Sequence, residues 1–165
     1  MKRDSIHTLV LCALLSAFAL ALSYIETLFP LPLPVPGARL GLGNALVLLA
    51  LLTLGPAEAA GVLLTKTALS ALLFGTPVSF LYAAAGGAML LLNKRRSVTP
   101  IGQSIAGAVL HNLGQVLVAM LLTNTPRLLL YFTPLGLLGV LTGALSGLAA
   151  KLCAAKVSPF FRKNK

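Results

Sequence analysis

Acidic side chains are nearly missing from this chain: Asp4, Glu26 and Glu58 are all it has in 165 residues. Charge of either sign is scarce too, at 10% of residues, which leaves far too little polar surface to cover a water-soluble globule. Cysteine is limited to Cys12 and Cys153, both inside apolar runs, so there is no disulfide framework and no paired metal-ligand spacing. The chain has no Gly-x-x-x-x-Gly-Lys-Ser/Thr loop, so it does not hydrolyse ATP itself. The 13 basic residues gather at segment ends and do not form a stripe with interleaved aromatics, which argues against nucleic acid as a partner.

What fills the chain is hydrocarbon: 58% of residues are hydrophobic and the mean hydropathy is +0.95. Lipid is therefore the expected solvent, and a single integral membrane domain over residues 1–165 the expected organisation. Apolar runs separated by breakers predict an all-α bundle of six transmembrane helices at about 6–28, 40–54, 57–73, 77–92, 101–122 and 128–152. Pro30, Pro32, Pro34 and Pro36 with Gly37 stop the first, because prolines at alternate positions forbid a helix. The second is short for a full crossing, held between Gly37 and Gly55-Pro56.

Lys2 and Arg3 ahead of an apolar run ending Ala19-Leu20-Ala21 imitate a cleaved leader, but the run continues to Ile25 and reads as a retained helix. Six crossings place Lys2, Arg3, Lys94, Arg95, Arg96, Lys151 and the basic tail 156–165 on one side, with only Arg39 and Arg127 opposite. That asymmetry puts both termini in the cytoplasm and the protein in the cell membrane.

Two kinds of position stand out against this apolar background. Ala13, Ala17 and Ala21 recur every four residues on the first helix and make a strip where another backbone can come close; Gly139, Gly143 and Gly147 do the same on the last. Packing inside the bundle is the plainer use of both strips. The second kind is polar groups at membrane depth, each costing roughly 3 kcal/mol at a helix centre unless it faces partners or water. They are Glu26, Asn44, Lys66, His111, Asn112 and Gln115, with Arg39 in the outer loop just before Gly41 and Gly43. His111 and Gln115 share a helix face, while Asn112 lies about 100° around the axis. Their compatible depth points to a shared wet cavity for an anionic or strongly polar ligand; the competing arrangement pairs Lys66 with Glu26 and ties His111 and Asn112 to neighbouring carbonyls.

Certain words of the sequence are more specific than hydropathy. Ser23-Tyr24-Ile25-Glu26, the proline loop running to Arg39-Leu40-Gly41-Leu42-Gly43-Asn44, Leu73-Phe74-Gly75-Thr76, Ser79-Phe80-Leu81-Tyr82, Gly86-Gly87 and His111-Asn112-Leu113-Gly114-Gln115 follow one another in order. Together they resemble the Gx transporter family, also labelled heptaprenyl diphosphate synthase component I. That family looks like the substrate-binding S components of energy-coupling factor (ECF) transporters. The resemblance implies a six-helix S-component-like bundle, an outward ligand pocket, and partnership with a coupling transmembrane subunit and a pair of ATPases.

By the same resemblance, Ala13, Ala17 and Ala21 dock on the coupling subunit, Arg39 and Asn44 belong to a lid or rim, and Lys66 stands where the family has a basic residue, often Arg. The ligand is then a small, vitamin-like or anionic metabolite, with no cofactor and no catalytic residue in this chain. The family's second label points instead to a membrane accessory subunit in isoprenoid synthesis or a redox assembly. Prenyl transfer itself needs clustered aspartates to hold Mg²⁺ around a diphosphate, and Asp4 is the only aspartate here.

Overall fold

Lipid removes water as a hydrogen-bond partner, so a chain this apolar must satisfy its backbone from within, and helices do so residue by residue. A computed structural model describes residues 3–29, 41–75, 80–81, 84 and 99–162, with no strand among the described residues. The helices are α1 (Arg3–Leu28), α2 (Asn44–Thr53), α3 (Pro56–Leu73), α4 (Pro100–Thr123) and α5 (Phe132–Arg162), and a 3₁₀ turn, Pro126–Tyr131, joins the last two.

Three stretches are long and apolar enough to cross a membrane: Ile6–Leu28, Pro100–Thr123 and Pro126–Lys156. Six crossings were expected, and among the described residues the count stands at three. The second expected span shrinks to the 10 residues of α2, about 15 Å of helix, half the hydrocarbon thickness. Gly41 at φ +78° turns the chain just ahead of it, and the helix begins only at Asn44. α3 has 18 residues but carries Glu58 and Lys66 and does not reach the apolarity of the other three. Only Phe80, Leu81 and Ala84 of the fourth expected span are described; the proline loop with Arg39 and the Asn93–Arg96 cluster also lie outside the described residues.

The boundaries follow local chemistry. Pro56 and Pro100 each open a helix at the position where a missing N–H costs nothing, and Thr99 Oγ1 caps α4 by accepting from Gly102 N at 3.2 Å. Asn124, in the left-handed region at φ 50°, ends α4. α5 starts at Phe132, later than expected, and runs through Arg162, so most of the expected basic tail continues the helix.

α2 is apolar all round, and it is enclosed: it packs against α1, α3, α4 and α5. Its Val47, Leu48, Ala50 and Leu51 form the main core with Ala59, Val62 and Leu63 of α3 and Ala150 of α5. A second, smaller core joins Ala119 of α4 to Leu135 of α5.

The two small-residue strips part company in the fold. Gly139, Gly143 and Gly147 lie inside, pressed on α4: a Cβ on Gly139 would meet Asn112 Nδ2 at 2.8 Å, one on Gly143 Ile105 Cα at 2.7 Å, and one on Gly147 Ser104 Cβ at 2.7 Å. Each step of four up α4 is matched by a step of four down α5, as an antiparallel pair in close backbone contact requires. Ala13, Ala17 and Ala21 are all exposed, while Ser16, Ala19 and Ser23 turn α1's opposite side into the bundle.

Candidate functional site

α4 is built inside out by the standards of water. Gln103, Ser104, His111, Asn112 and Gln115 are buried, whereas Leu117, Leu121 and Leu122 face outward. Two stripes at four-residue spacing run along its inner side. Gln103, Gly107, His111 and Gln115 make one, and Ser104, Ala108 and Asn112, which meet the α5 glycines, make the other.

The polar groups gather on the turn that opens α2. Asn44 N donates to Gly41 O at 2.8 Å and Ala45 N to Leu42 O at 3.0 Å, so the chain enters the helix through hydrogen-bonded backbone. Leu42 N, in the turn just ahead of the N-cap Gly43, donates to the Glu26 carboxylate Oε1 on α1. Irregular backbone deep in a membrane protein survives only where protein or a lined cavity satisfies it, and this carboxylate does so. Lys66 of α3 is 5% exposed, and its Nζ donates to Asn44 Oδ1 at 2.6 Å.

Gly43 lets the turn close on α1. A Cβ there would lie 2.6 Å from Ser23 Oγ, 2.7 Å from Ala19 O and 3.1 Å from Lys66 Nζ. Gly41 serves the other side: a Cβ there would meet Asn44 Nδ2 at 2.9 Å and His111 Cδ2 at 3.3 Å. His111 Nε2 is 2.6 Å from Gln115 Nε2, and because the amide nitrogen carries only donors, the ring nitrogen accepts. Nearby, Tyr24 and Phe74 meet edge to face with centroids 5.3 Å apart, fixing this end of α1 to the end of α3.

Four of the seven expected ligand-binding residues therefore meet around Gly41–Asn44, namely Glu26, Asn44, Lys66 and His111, and Gln115 is joined to them through His111. Asn112 turns the other way, as its angular offset foreshadows. Its Nδ2 donates to Leu135 O at 2.6 Å, which ties α4 to α5, and among the described residues its buried Oδ1 has no hydrogen-bond partner. Arg39 lies outside the described residues.

On the far side of Asn44 a cleft opens between α2, α4 and α5, lined by Gly41, Asn44, Ser104, Thr142 and Ser146 among others. Its volume of about 10 Å³ suits a single water. Ser104, Thr142 and Ser146, with Ser23 beside Gly43, were not expected in the site. Ser23 opens the Ser23-Tyr24-Ile25-Glu26 stretch, and the other three are ordinary hydroxyls in apolar runs.

A family model described as heptaprenyl diphosphate synthase component I matches residues 15–153. No curated protein and no solved structure matches the chain. The matched stretch begins on α1, ends on α5 and contains Glu26, Asn44, Lys66, His111 and Gln115. It covers well over half of the sequence, and the chain belongs to the heptaprenyl diphosphate synthase component I family.

Proposed function

We propose that this membrane protein is the substrate-binding S component of an ECF-type transporter, capturing a small polar metabolite beside the α2 turn. The observation that carries the reading is the meeting of Glu26, Asn44, Lys66 and His111, contributed by four helices, on one glycine-bearing turn, with Gln115 bonded to His111 behind it. A lone buried lysine is readily satisfied by a carbonyl. Four polar groups gathered at one turn in an apolar bundle are the kind of cost that binding sites repay. The exposed Ala13, Ala17 and Ala21 strip supports a coupling-subunit contact, since this strip is not used in the bundle's own packing. On this reading both termini are cytoplasmic and ATP is hydrolysed by partner subunits.

The family's description supports a second reading, a non-catalytic membrane subunit attached to a prenyl diphosphate synthase. The narrowness of the described cleft also favours it, because a scaffold needs no room for a ligand. Native mass spectrometry of protein purified from its own membranes separates the two. The carrier retains a small molecule and co-isolates with a coupling subunit; the accessory subunit retains none and brings down a synthase. In the carrier case Lys66→Ala weakens ligand binding by about 1–3 kcal/mol without unfolding the protein. Unchanged affinity removes Lys66 from the site.

A further inference from the structure

α5 continues beyond the bundle that it helps to build. From Phe132 to Ala150 it carries no charged residue and rises about 27 Å, close to the roughly 30 Å of a bilayer's hydrocarbon. Ala150 is 3% exposed and belongs to the main core; among the described residues it is the last buried one on α5. Lys151 follows it directly, at the edge of the hydrocarbon. Lys156 stands about 7.5 Å further along the axis, a step comparable with one headgroup layer of about 5–7 Å.

Both lysines are exposed, and among the described residues neither has a hydrogen bond or an ion pair. The chain is poorly equipped to supply a counter-charge at this end. No acidic residue follows Glu58 in the sequence, and the three acids stand on α1 and α3, whereas α5 packs on α2 and α4. Beyond Lys156 the sequence adds Arg162, Lys163 and Lys165. Charge asymmetry across the membrane accounts for the side on which such cations lie, but not for what neutralises them.

Lys151 and Lys156 lie about 140° apart around the helix, and between them only Ala154 is as much as half-buried. A protein surface would cover one side of such a helix, whereas a layer of headgroups surrounds it. A lysine stem also keeps its methylenes in apolar surroundings while the ammonium reaches the phosphate plane. We infer that the Lys151–Lys156 segment of α5 binds the phosphate groups of anionic lipids, one lysine on each flank of the helix. The lipid supplies the negative charge that the chain itself does not bring to this end. Nothing at the α2 turn enters the inference, so it holds equally for a carrier and for an accessory subunit.

The test uses full-length protein in micelles doped with equal amounts of phosphatidylglycerol and phosphatidylcholine, with native mass spectrometry reading the lipids retained. Wild type is expected to retain phosphatidylglycerol in preference. Lys151→Gln/Lys156→Gln is expected to lower that preference by more than about tenfold, with the melting temperature unchanged. Lys151→Arg/Lys156→Arg keeps both charges and is expected to keep the preference. Equal retention of the two lipids by wild type overturns the inference, as does a glutamine double variant that holds phosphatidylglycerol as well as wild type. Should the double variant not fold, Lys156→Gln decides in its place: a loss of about fivefold supports the inference, and an unchanged preference overturns it.

Discussion

At the scale of the residue, a single methyl group decides whether α2 can seat on α1. A Cβ on Gly43 falls 2.6 Å from Ser23 Oγ and 2.7 Å from Ala19 O, and the second of these is backbone that cannot swing away. Gly43→Ala is expected to destabilise the protein by about 1–3 kcal/mol in a detergent melt, with Ser23→Gly restoring only part of the loss. Gly61 is the control: nothing lies within 4 Å of its Cβ position, so Gly61→Ala in mid-helix should stabilise by about 0.5–1 kcal/mol. The polar groups of the candidate site were legible at this scale where isolation in lipid is expensive, at Glu26, Lys66 and the amides. Hydroxyls escaped notice because they can bond within their own helix; Thr142 Oγ1, for instance, donates to Leu138 O at 2.9 Å, so its presence in an apolar run is nearly free and carries no signal.

Between elements, the α4–α5 seam depends on the absence of side chains. Ser104 faces Gly147, Ala108 faces Gly143 and Asn112 faces Gly139, and the Asn112 amide adds a hydrogen bond to Leu135 O. Gly143→Leu drives a side chain into Ile105 Cα and Ser104 O, so loss of at least about 2 kcal/mol and of protease resistance in α4 is expected. Gly136 is one turn beyond the seam, and a Cβ there would meet the Phe132 ring first, at an ordinary 3.6 Å, so Gly136→Ala should melt within about 0.5 kcal/mol of wild type. The spacing of the glycines announced a close helix contact but could not say with which helix, because every apolar segment offers the same kind of surface.

On the scale of the whole molecule, what matters is which faces are left uncovered. Ala17 is exposed and Ala19, two residues on, is fully buried. Ala17→Phe should leave the melting temperature and ligand affinity unchanged while abolishing co-purification of a coupling subunit, whereas Ala19→Phe should damage the fold itself. Normal stoichiometry of the complex with Ala17→Phe would assign the strip to lipid. Among the described residues α1 ends at Leu28, ahead of the proline series, and α3 and α4 open at Pro56 and Pro100, each one residue before the expected start. α2 is the exception: its length was overestimated because Leu40–Gly43 continues the apolar run with no polar break, whereas a turn through Gly41, at positive φ, precedes the helix at Asn44.

The sequence by itself determined the solvent, the helical class and the identity of the costly groups, because each follows from composition and from the price of an unsatisfied polar atom in lipid. Tertiary structure alone decided which of those groups meet. It brought Glu26 and Lys66 to one turn from residues 40 apart, sent Asn112 to α5, and turned one small-residue strip inward and the other out. Periodicity fixes the angle of a side chain about its own helix axis, but not the rotation of that helix against its neighbours, which the packing of all the helices settles together.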